Sequence, residues 1–184
     1  MDHYIDISIL PTPEFPETVL LNALYTKLHR ALYDLAATNV GVSFPKYKIT
    51  LGNIIRIHSG QAVLHNLLNL NWIGSMNDLC KVSMIMRVPM NSKFRNISRK
   101  QPTMSPSKLR RLISRGSILE EEIQPYETKM HSKKFDNPYI ELISTSSGQR
   151  YRRYIEFGEL LEQPVSGSFD AFGFSKTATV PWFD

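Results

Sequence analysis

The chain has 184 residues, 42% of them apolar, which is enough for one substantial hydrophobic core or for two small domains. Its formal net charge is +5 and its isoelectric point is near 9.3, values that many other proteins share. No apolar run reaches the roughly 18 residues of a membrane-spanning helix, and the segment MDHYIDISIL carries acids where a signal peptide needs lysines. The single cysteine, Cys80, excludes an internal disulfide and a cysteine-built zinc site, so we expect a cytoplasmic protein.

Strands and helices are predicted to alternate in the first half of the chain. Residues 3–10 alternate apolar and polar side chains as a strand does, and prolines then interrupt the pattern. Over residues 17–36, apolar side chains recur every three or four positions, which predicts a helix with one buried stripe. The remaining predicted elements are strands over 40–44 and 53–58, a helix over 61–70 and a strand over 82–90. This order predicts an α+β fold with a ferredoxin-like domain over residues 1–92.

Residues 93–184 are predicted to form a smaller α/β domain. It begins in a polar, basic stretch, 91–104, which is interpreted as a linker or extended arm. Ser105 followed by Pro106 predicts a helix start, with the serine as the N-cap of a basic helix. The other expected elements are an acidic helical stretch near 120–122, strands over 137–144 and 149–157, and short β-rich pieces over 167–175 and 179–183.

Charge is distributed unevenly along the chain. No acid occurs between Asp78 and Glu120, and this interval holds ten basic residues: Lys81, Arg87, Lys93, Arg95, Arg99, Lys100, Lys108, Arg110, Arg111 and Arg115. Such a run is typical of a surface that binds a polyanion, nucleic acid above all. A solvated basic face is the plain alternative. A lipid-headgroup surface fits less well, because the segment lacks a broad apolar face flanked by aromatic residues.

The basic helix and the stretch before it suggest how a nucleic acid would be held. Lys108, Arg111 and Arg115 recur at helical spacing, so their side chains form a stripe that can follow phosphates along a groove. Arg99 and Gln101 are two residues apart in an extended segment and would point to the same side. Arginine suits guanine and glutamine suits adenine at base edges, although an R-x-Q pattern is common in proteins.

Three further features are candidate functional residues. Tyr151, in the predicted strand 149–157, lies among basic residues and could stack on a base or pack in a core. The hydroxyl cluster 144–147 could form only a turn, or could hold a phosphate or a ribose hydroxyl. His29 flanks the buried stripe of its helix, so the pattern leaves both a packing and a proton-transfer role open. The five histidines show no metal-ligand spacing, and no Walker, H-E-x-x-H or paired-carboxylate motif occurs.

Several stretches, in order, resemble the CRISPR-associated endoribonucleases of type I-F systems, which cut the repeat hairpin of precursor CRISPR RNA. They are MDHYIDI, PTPEFP (11–16), LYTKLHRAL (24–32), GVSFP (41–45), LG and RIH (51–58), SRKQ (98–101), the Pro106 helix, SSGQRYRRYI (146–155), GFSK and VPWF (173–183). The resemblance covers almost the whole chain. Their order and spacing, more than any single stretch, make it specific.

The resemblance implies a role for particular residues of this sequence. His29 matches the catalytic histidine, and Ser144 matches the serine that engages the ribose 2′-hydroxyl beside the scissile phosphate. Arg99 and Gln101 match the readers of the lowest base pairs, and Tyr151 matches the aromatic that stacks under the stem. The other RNA-binding residues that the resemblance implies are Lys100, Lys108, Arg110, Arg111, Arg115, Ser146, Ser147 and Phe172. It further implies a partner RNA hairpin, a place in the type I-F surveillance complex, a monomer when alone with RNA, and no cofactor, metal or membrane.

The sequence departs from the family pattern at two places. Leu112, Gly116 and Ser117 stand in or just after the basic helix where family members carry Arg or His, so the helix carries less charge. Phe172 stands where the family has a tyrosine near the active site, so that hydroxyl is absent from this chain.

The implied chemistry is consistent without a metal ion, because RNA supplies its own nucleophile in the 2′-hydroxyl and a histidine can remove its proton. The products would be a 2′,3′-cyclic phosphate and a 5′-hydroxyl. Two alternatives stay open from the sequence: an RNA-hairpin-binding subunit that cleaves weakly or not at all, and a duplex DNA binder that uses the basic helix.

Overall fold

The computed structural model of the chain describes residues 1–101, 104, 106–132, 136–143 and 148–184, which form an α+β fold. These residues divide into two units. The first consists of Met1–Arg99 with Asn137–Asp184, and the second is Lys100–Asp136. Within the described part of the chain, no helix is long and apolar enough to cross a membrane.

The first sheet has the connectivity that the sequence predicts, except that the single strand expected over 82–90 is two short strands, 80–82 and 86–87. Its strands are β1 (His3–Ile9), β2 (Gly41–Ser43), β3 (Ile54–Ser59), β4 (Cys80–Val82) and β5 (Met86–Arg87). The order in the sheet is β4-β1-β3-β2, with β5 also paired to β1, and the neighbouring strands are antiparallel. Helix α1 (Glu17–Asp34) joins β1 to β2, and helix α2 (Gln61–Asn69) follows β3. This β-α-β-β-α-β order confirms the ferredoxin-like arrangement.

Helix α1 and strand β1 supply much of the core because their apolar residues recur with the period of each element. Leu24 and Leu28 on α1 are fully buried, as are Ile5 and Ile7 on β1. Truncating a buried leucine to alanine typically costs about 2–5 kcal/mol of folding free energy. The buried stripe therefore fixes the rotation of α1 about its axis and determines which of its residues reach the surface.

The second sheet lies in the same unit and has the order β7-β8-β6-β9. Its strands are β6 (Lys93–Lys100), β7 (Tyr139–Ile143), β8 (Arg150–Leu161) and β9 (Thr179–Trp182). Helix α1 packs against β7, where the Asn22 side-chain oxygen accepts a hydrogen bond from the Glu141 main-chain N–H at 3.2 Å. The second sheet thus contacts the helix that carries His29.

Strand β6 corrects the expectation of a linker or arm over 91–104. Ile97 is buried at the centre of the strand. The side-chain amide of Asn96 donates to the main-chain oxygens of Ser175 and Ala178, at 3.0 and 2.8 Å. The polar side chain of Asn96 is therefore satisfied by main-chain oxygens at separations of 79 and 82 positions along the chain.

The second unit contains helix α3 (Pro106–Ser114) and helix α4 (Glu120–Ser132). Helix α3 begins at Pro106 as predicted, and the expected N-cap Ser105 lies outside the described residues. Two residues past its end lies Gly116, whose φ is 61° and whose N–H bonds to the Ile113 oxygen, while the Ser117 N–H bonds to the Leu112 oxygen. This pair of bonds is a Schellman motif, which favours glycine at the left-handed position.

Candidate active site

His29 lies on α1 at the edge of the buried stripe. Leu28 and Leu32 on either side of it are buried, and they hold the helix so that the His29 side chain is half-buried. A half-buried imidazole is packed on one side and reachable by solvent or a ligand on the other. This position follows directly from the helical period of the leucines.

Opposite His29 is a tight turn over residues 170–174. One carboxylate oxygen of Asp170 accepts the main-chain N–H groups of Phe172 and Phe174, at 2.9 and 3.0 Å. Gly173 adopts a φ of 71°, and its N–H bonds to the Asp170 main-chain oxygen at 2.8 Å. The expectation of a β-rich piece over 167–175 is wrong here, because Asp170 and Gly173 supply the acceptor and the left-handed backbone that a turn requires.

The turn fixes the protonation pattern of His29. The imidazole Nδ1 lies 2.7 Å from the main-chain oxygen of Ala171. A carbonyl oxygen can only accept, so Nδ1 carries the proton, and in the neutral ring Nε2 holds the free lone pair. No described residue hydrogen-bonds Nε2. The arrangement therefore gives His29 one anchored nitrogen and one basic nitrogen.

Phe172 separates His29 from an arginine. The Phe172 ring stacks on the imidazole with 3.5 Å between ring centroids and 13° between planes. The guanidinium carbon of Arg153 lies 3.5 Å from the same Phe172 centroid. The imidazole and the guanidinium would overlap if both lay 3.5 Å from the Phe172 centroid on the same side of the ring. They therefore occupy opposite faces of the Phe172 ring. His29, Phe172 and Arg153 therefore form a three-layer stack.

Arg153 reaches this position from strand β8. It pairs across the ladder with the fully buried Ile140, and on its own strand it shares a face with Ile155 and Tyr151. Exposure rises along that face from 0% at Ile155 through 8% at Arg153 to 36% at Tyr151. The Nε atom of Arg153 is buried and has no hydrogen-bond partner within the described ranges. On this face of β8, a core isoleucine is thus followed by a buried arginine and then by a tyrosine at the surface.

Arg99, at the end of β6, belongs to the same electrostatic neighbourhood. Arg99 is an exposed residue, but partial desolvation of its guanidinium, and then the positive charge of Arg153, lower its pKa, while Tyr151 and Asp170 oppose the shift. The two guanidinium groups therefore repel each other, and Asp170 offsets part of this repulsion.

Tyr25 supports the turn from the core side. Its hydroxyl donates to the main-chain oxygen of Phe172. Burial, and then the negative charge of Asp170, raise the pKa of Tyr25 well above its ordinary value, while Arg153 opposes the shift. The phenol therefore stays protonated and continues to act as a donor to the turn.

The structure brings only some of the predicted site residues together. His29 and Phe172 are in contact, and Arg99 and Tyr151 lie within electrostatic range of the stack. Ser144, Ser146 and Ser147 lie outside the described residues. Lys108, Arg110, Arg111 and Arg115 are exposed on α3 or just after it, and Gln101 is exposed after β6. Lys100 is half-buried at the end of β6.

Sequence reasoning missed Arg153 and Asp170, although each had a signal. Arg153 falls two residues before the buried Ile155, in the phase of a strand where an apolar residue is expected. Asp170 stands three residues before Gly173, a spacing typical of turns. The Ala171 oxygen is a main-chain group and leaves no trace in the sequence.

Comparison with known proteins identifies the family. The model of the family described as CRISPR-associated protein (Cas_Csy4) matches residues 4–183. The protein named CRISPR-associated endonuclease Cas6/Csy4 from Escherichia coli (strain UTI89 / UPEC) is 36% identical over 184 residues, which cover 100% of both chains. The protein of the same name from Pseudomonas aeruginosa (strain UCBPP-PA14) is 36% identical over 187 residues, again covering 100% of both chains. The match extends through α1, β8 and the 170–174 turn alike, and the chain therefore belongs to the Cas_Csy4 family of CRISPR-associated proteins.

Proposed function

We propose that the chain is an endoribonuclease that matures CRISPR RNA by cutting the precursor at the 3′ base of the repeat hairpin. The relatives are named CRISPR-associated endonucleases and match the chain over its full length. The observation that carries the proposal is the hydrogen bond from His29 Nδ1 to the Ala171 oxygen, because it leaves Nε2 as the basic nitrogen. The enzyme acts without a metal ion or other cofactor and works in the cytoplasm.

The reaction is an attack by the RNA on itself. Nε2 of His29 takes the proton from the 2′-hydroxyl at the cut, and the 2′-oxygen bonds to the adjacent phosphorus. The bond from phosphorus to the 5′-oxygen of the next nucleotide breaks, and that oxygen takes up a proton. The products are a 2′,3′-cyclic phosphate and a 5′-hydroxyl. Ser144 is proposed to hold the 2′-oxygen, and Ser146 and Ser147 to line the site.

Binding residues surround this centre in the proposal. Arg99 and Gln101 read the lowest base pairs of the stem, and Tyr151 stacks beneath them. The exposed cations of α3, with Lys100, follow the phosphates of the stem, while Phe172 packs His29 in place. The enzyme retains its product as a monomer bound to RNA and joins the type I-F surveillance complex in that form.

The decisive experiment uses the repeat hairpin encoded beside the gene. We expect wild-type protein to cleave it in EDTA, and to leave uncut the same RNA with one 2′-deoxy nucleotide before the cut. Cleavage of the deoxy RNA, or inhibition by EDTA, would contradict the mechanism. His29→Ala should abolish cleavage while the dissociation constant stays within about threefold. Equal cleavage by wild type and His29→Ala would instead leave only an RNA-binding role.

A further inference from the structure

Arg153 is a buried cation with no ion-pair partner among the residues that the structure describes. It is 8% exposed, its Nε is buried without a hydrogen-bond partner, and no described carboxylate forms an ion pair with it. An unpaired buried charge is costly to a fold, so such groups usually bind a ligand or neutralise a partner. The nearby acid Asp170 directs one carboxylate oxygen to two main-chain N–H groups of its own turn.

The neighbouring arginine on the same strand shows the opposite situation. Arg152 points to the other face of β8, where its Nε lies 3.7 Å from a Glu141 carboxylate oxygen. Its guanidinium carbon also lies 4.5 Å from the Tyr139 ring centroid. Arg152 is therefore compensated by a carboxylate, whereas Arg153 contacts the face of Phe172 and forms no ion pair with a carboxylate in the described part of the chain.

The position of Arg153 places its charge beside the proposed reaction centre. One phenyl ring separates its guanidinium from the His29 imidazole. Tyr151 lies on the same face of β8 as Arg153. Arg99 carries a second positive charge, which the charge of Arg153 repels. A group that enters between these residues and relieves the repulsion must carry negative charge.

We propose that Arg153 is a substrate-binding residue whose guanidinium contacts a phosphodiester of the RNA strand next to the scissile bond. This inference rests on the proposed function and adds a residue to its site. A guanidinium offers two parallel N–H groups to two phosphate oxygens, which makes a strong and oriented contact. Held beside His29, that contact aligns the strand for in-line attack and balances the charge that develops on phosphorus.

The test compares Arg153→Met with the matched variant Arg152→Met. Methionine keeps an unbranched side chain beneath Phe172 and removes the charge. With a hairpin made uncleavable by one 2′-deoxy nucleotide, we expect Arg153→Met to bind about tenfold more weakly and Arg152→Met to stay within about twofold of wild type. With the normal hairpin, the single-turnover rate of Arg153→Met should fall by at least about tenfold.

Neutral linkages then identify the contact directly. Methylphosphonates replace the phosphodiesters flanking the cut one at a time in the uncleavable hairpin. At one of these linkages, we expect the change to weaken binding about tenfold in wild type and less than twofold in Arg153→Met. If every linkage weakens both proteins equally, Arg153 touches no phosphate and the inference is wrong.

Two further measurements show whether a weaker variant is simply misfolded, and whether the phosphate contact holds independently of the proposed reaction. The melting temperature of RNA-free Arg153→Met should not fall below that of wild type, because the substitution removes an unpaired buried charge. A marked fall would contradict the view that the charge is uncompensated. Failure of wild type to cut the normal hairpin would overturn the reaction, while the coupling measured on uncleavable RNA would still decide the phosphate contact.

Discussion

The His29 Nδ1 atom and the Ala171 main-chain oxygen lie 2.7 Å apart although their residues are separated by 142 positions in the chain. Helix α1 carries the ring, and the 170–174 turn carries its acceptor. A side chain from one end of the chain thus owes its tautomer to the backbone at the other end. The proposed base is therefore prepared for proton transfer before RNA arrives.

This relationship predicts the tautomer of His29 in RNA-free protein. At about pH 8, where an ordinary imidazole is neutral, a two-bond ¹H–¹⁵N spectrum of histidine-labelled protein should show Nδ1 protonated and Nε2 bare. The signals that vanish in His29→Ala assign the ring. A bare Nδ1 at this pH would show that the bond to Ala171 does not form in solution.

Asp170 is expected to act as a positioning residue through the turn. Asp170→Ala removes the acceptor for the Phe172 and Phe174 N–H groups, so the Ala171 oxygen loses its fixed direction. We expect the single-turnover cleavage rate to fall about tenfold with little change in RNA affinity. Asp170→Asn keeps a side-chain oxygen in the same place and should stay within about threefold. Equal losses in both variants would point to the charge of Asp170 instead of its geometry.

Gly173 is expected to be intolerant of any side chain. Its φ is 71°, and an added Cβ would overlap the Val42 side chain, while the Gly173 oxygen accepts the Val42 N–H at 2.9 Å. Gly116 has a similar φ of 61° with open space around it, so it is the matched control. We expect Gly116→Ala to cost about 1 kcal/mol of folding free energy and Gly173→Ala at least about 2 kcal/mol more, measured by urea unfolding. Similar costs would contradict the tight contact.

His58 is expected to make stability depend on pH. Burial, and then the positive charge of Arg56, lower its pKa from 6.5 to about 3. Between these values the unfolded chain binds a proton that the folded chain does not, so stability falls as pH drops through this window. The slope is about 1.4 kcal/mol per pH unit.

His58→Gln should remove this slope. Between about pH 7 and pH 5, we expect wild type to lose about 2 kcal/mol more unfolding free energy than the variant. His65 is exposed on α2, so His65→Gln is the control and should follow wild type. A wild-type slope in His58→Gln would mean that other groups carry the pH dependence.

The basic helix is expected to contribute affinity that salt suppresses. Replacing Lys108, Arg111 and Arg115 by glutamine should weaken hairpin binding at low salt and lower the slope of log K against log salt by about one per lost phosphate contact. Lys46 and Lys48 are exposed in the other unit, and replacing both changes the net charge without altering α3. If this control lowers the slope as much, the effect belongs to overall charge.

Most of the ferredoxin-like unit could be predicted from the sequence because its signals are local. The leucines of α1 and the isoleucines of β1 repeat with the periods of a helix and a strand, and both elements lie where expected. Strand β6 could not be predicted in this way. Its polar Asn96 is satisfied by main-chain oxygens far along the chain, and no local pattern reveals such partners.

The site was predictable only in part for a related reason. Residues such as His29 and Arg99 could be proposed because the stretches around them resemble a known family. The place of Arg153 in the site could be recognised only from the fold. The strand pattern shows on which face of β8 the arginine lies, but not whether that face is buried or at an edge. The acceptor for His29 is a main-chain oxygen, whose direction depends on the turn that Asp170 and Gly173 form.

The separation of His29 and Ala171 along the chain also means that the two residues are added at different times during protein synthesis. A ribosome completes α1 long before it adds the 170–174 turn, so the nascent chain carries an imidazole without its acceptor. Any product of stalled translation that ends before the turn has the same defect. The oriented base thus arises only after the 170–174 turn has been added, and fragments that still bear the basic helix are released without it.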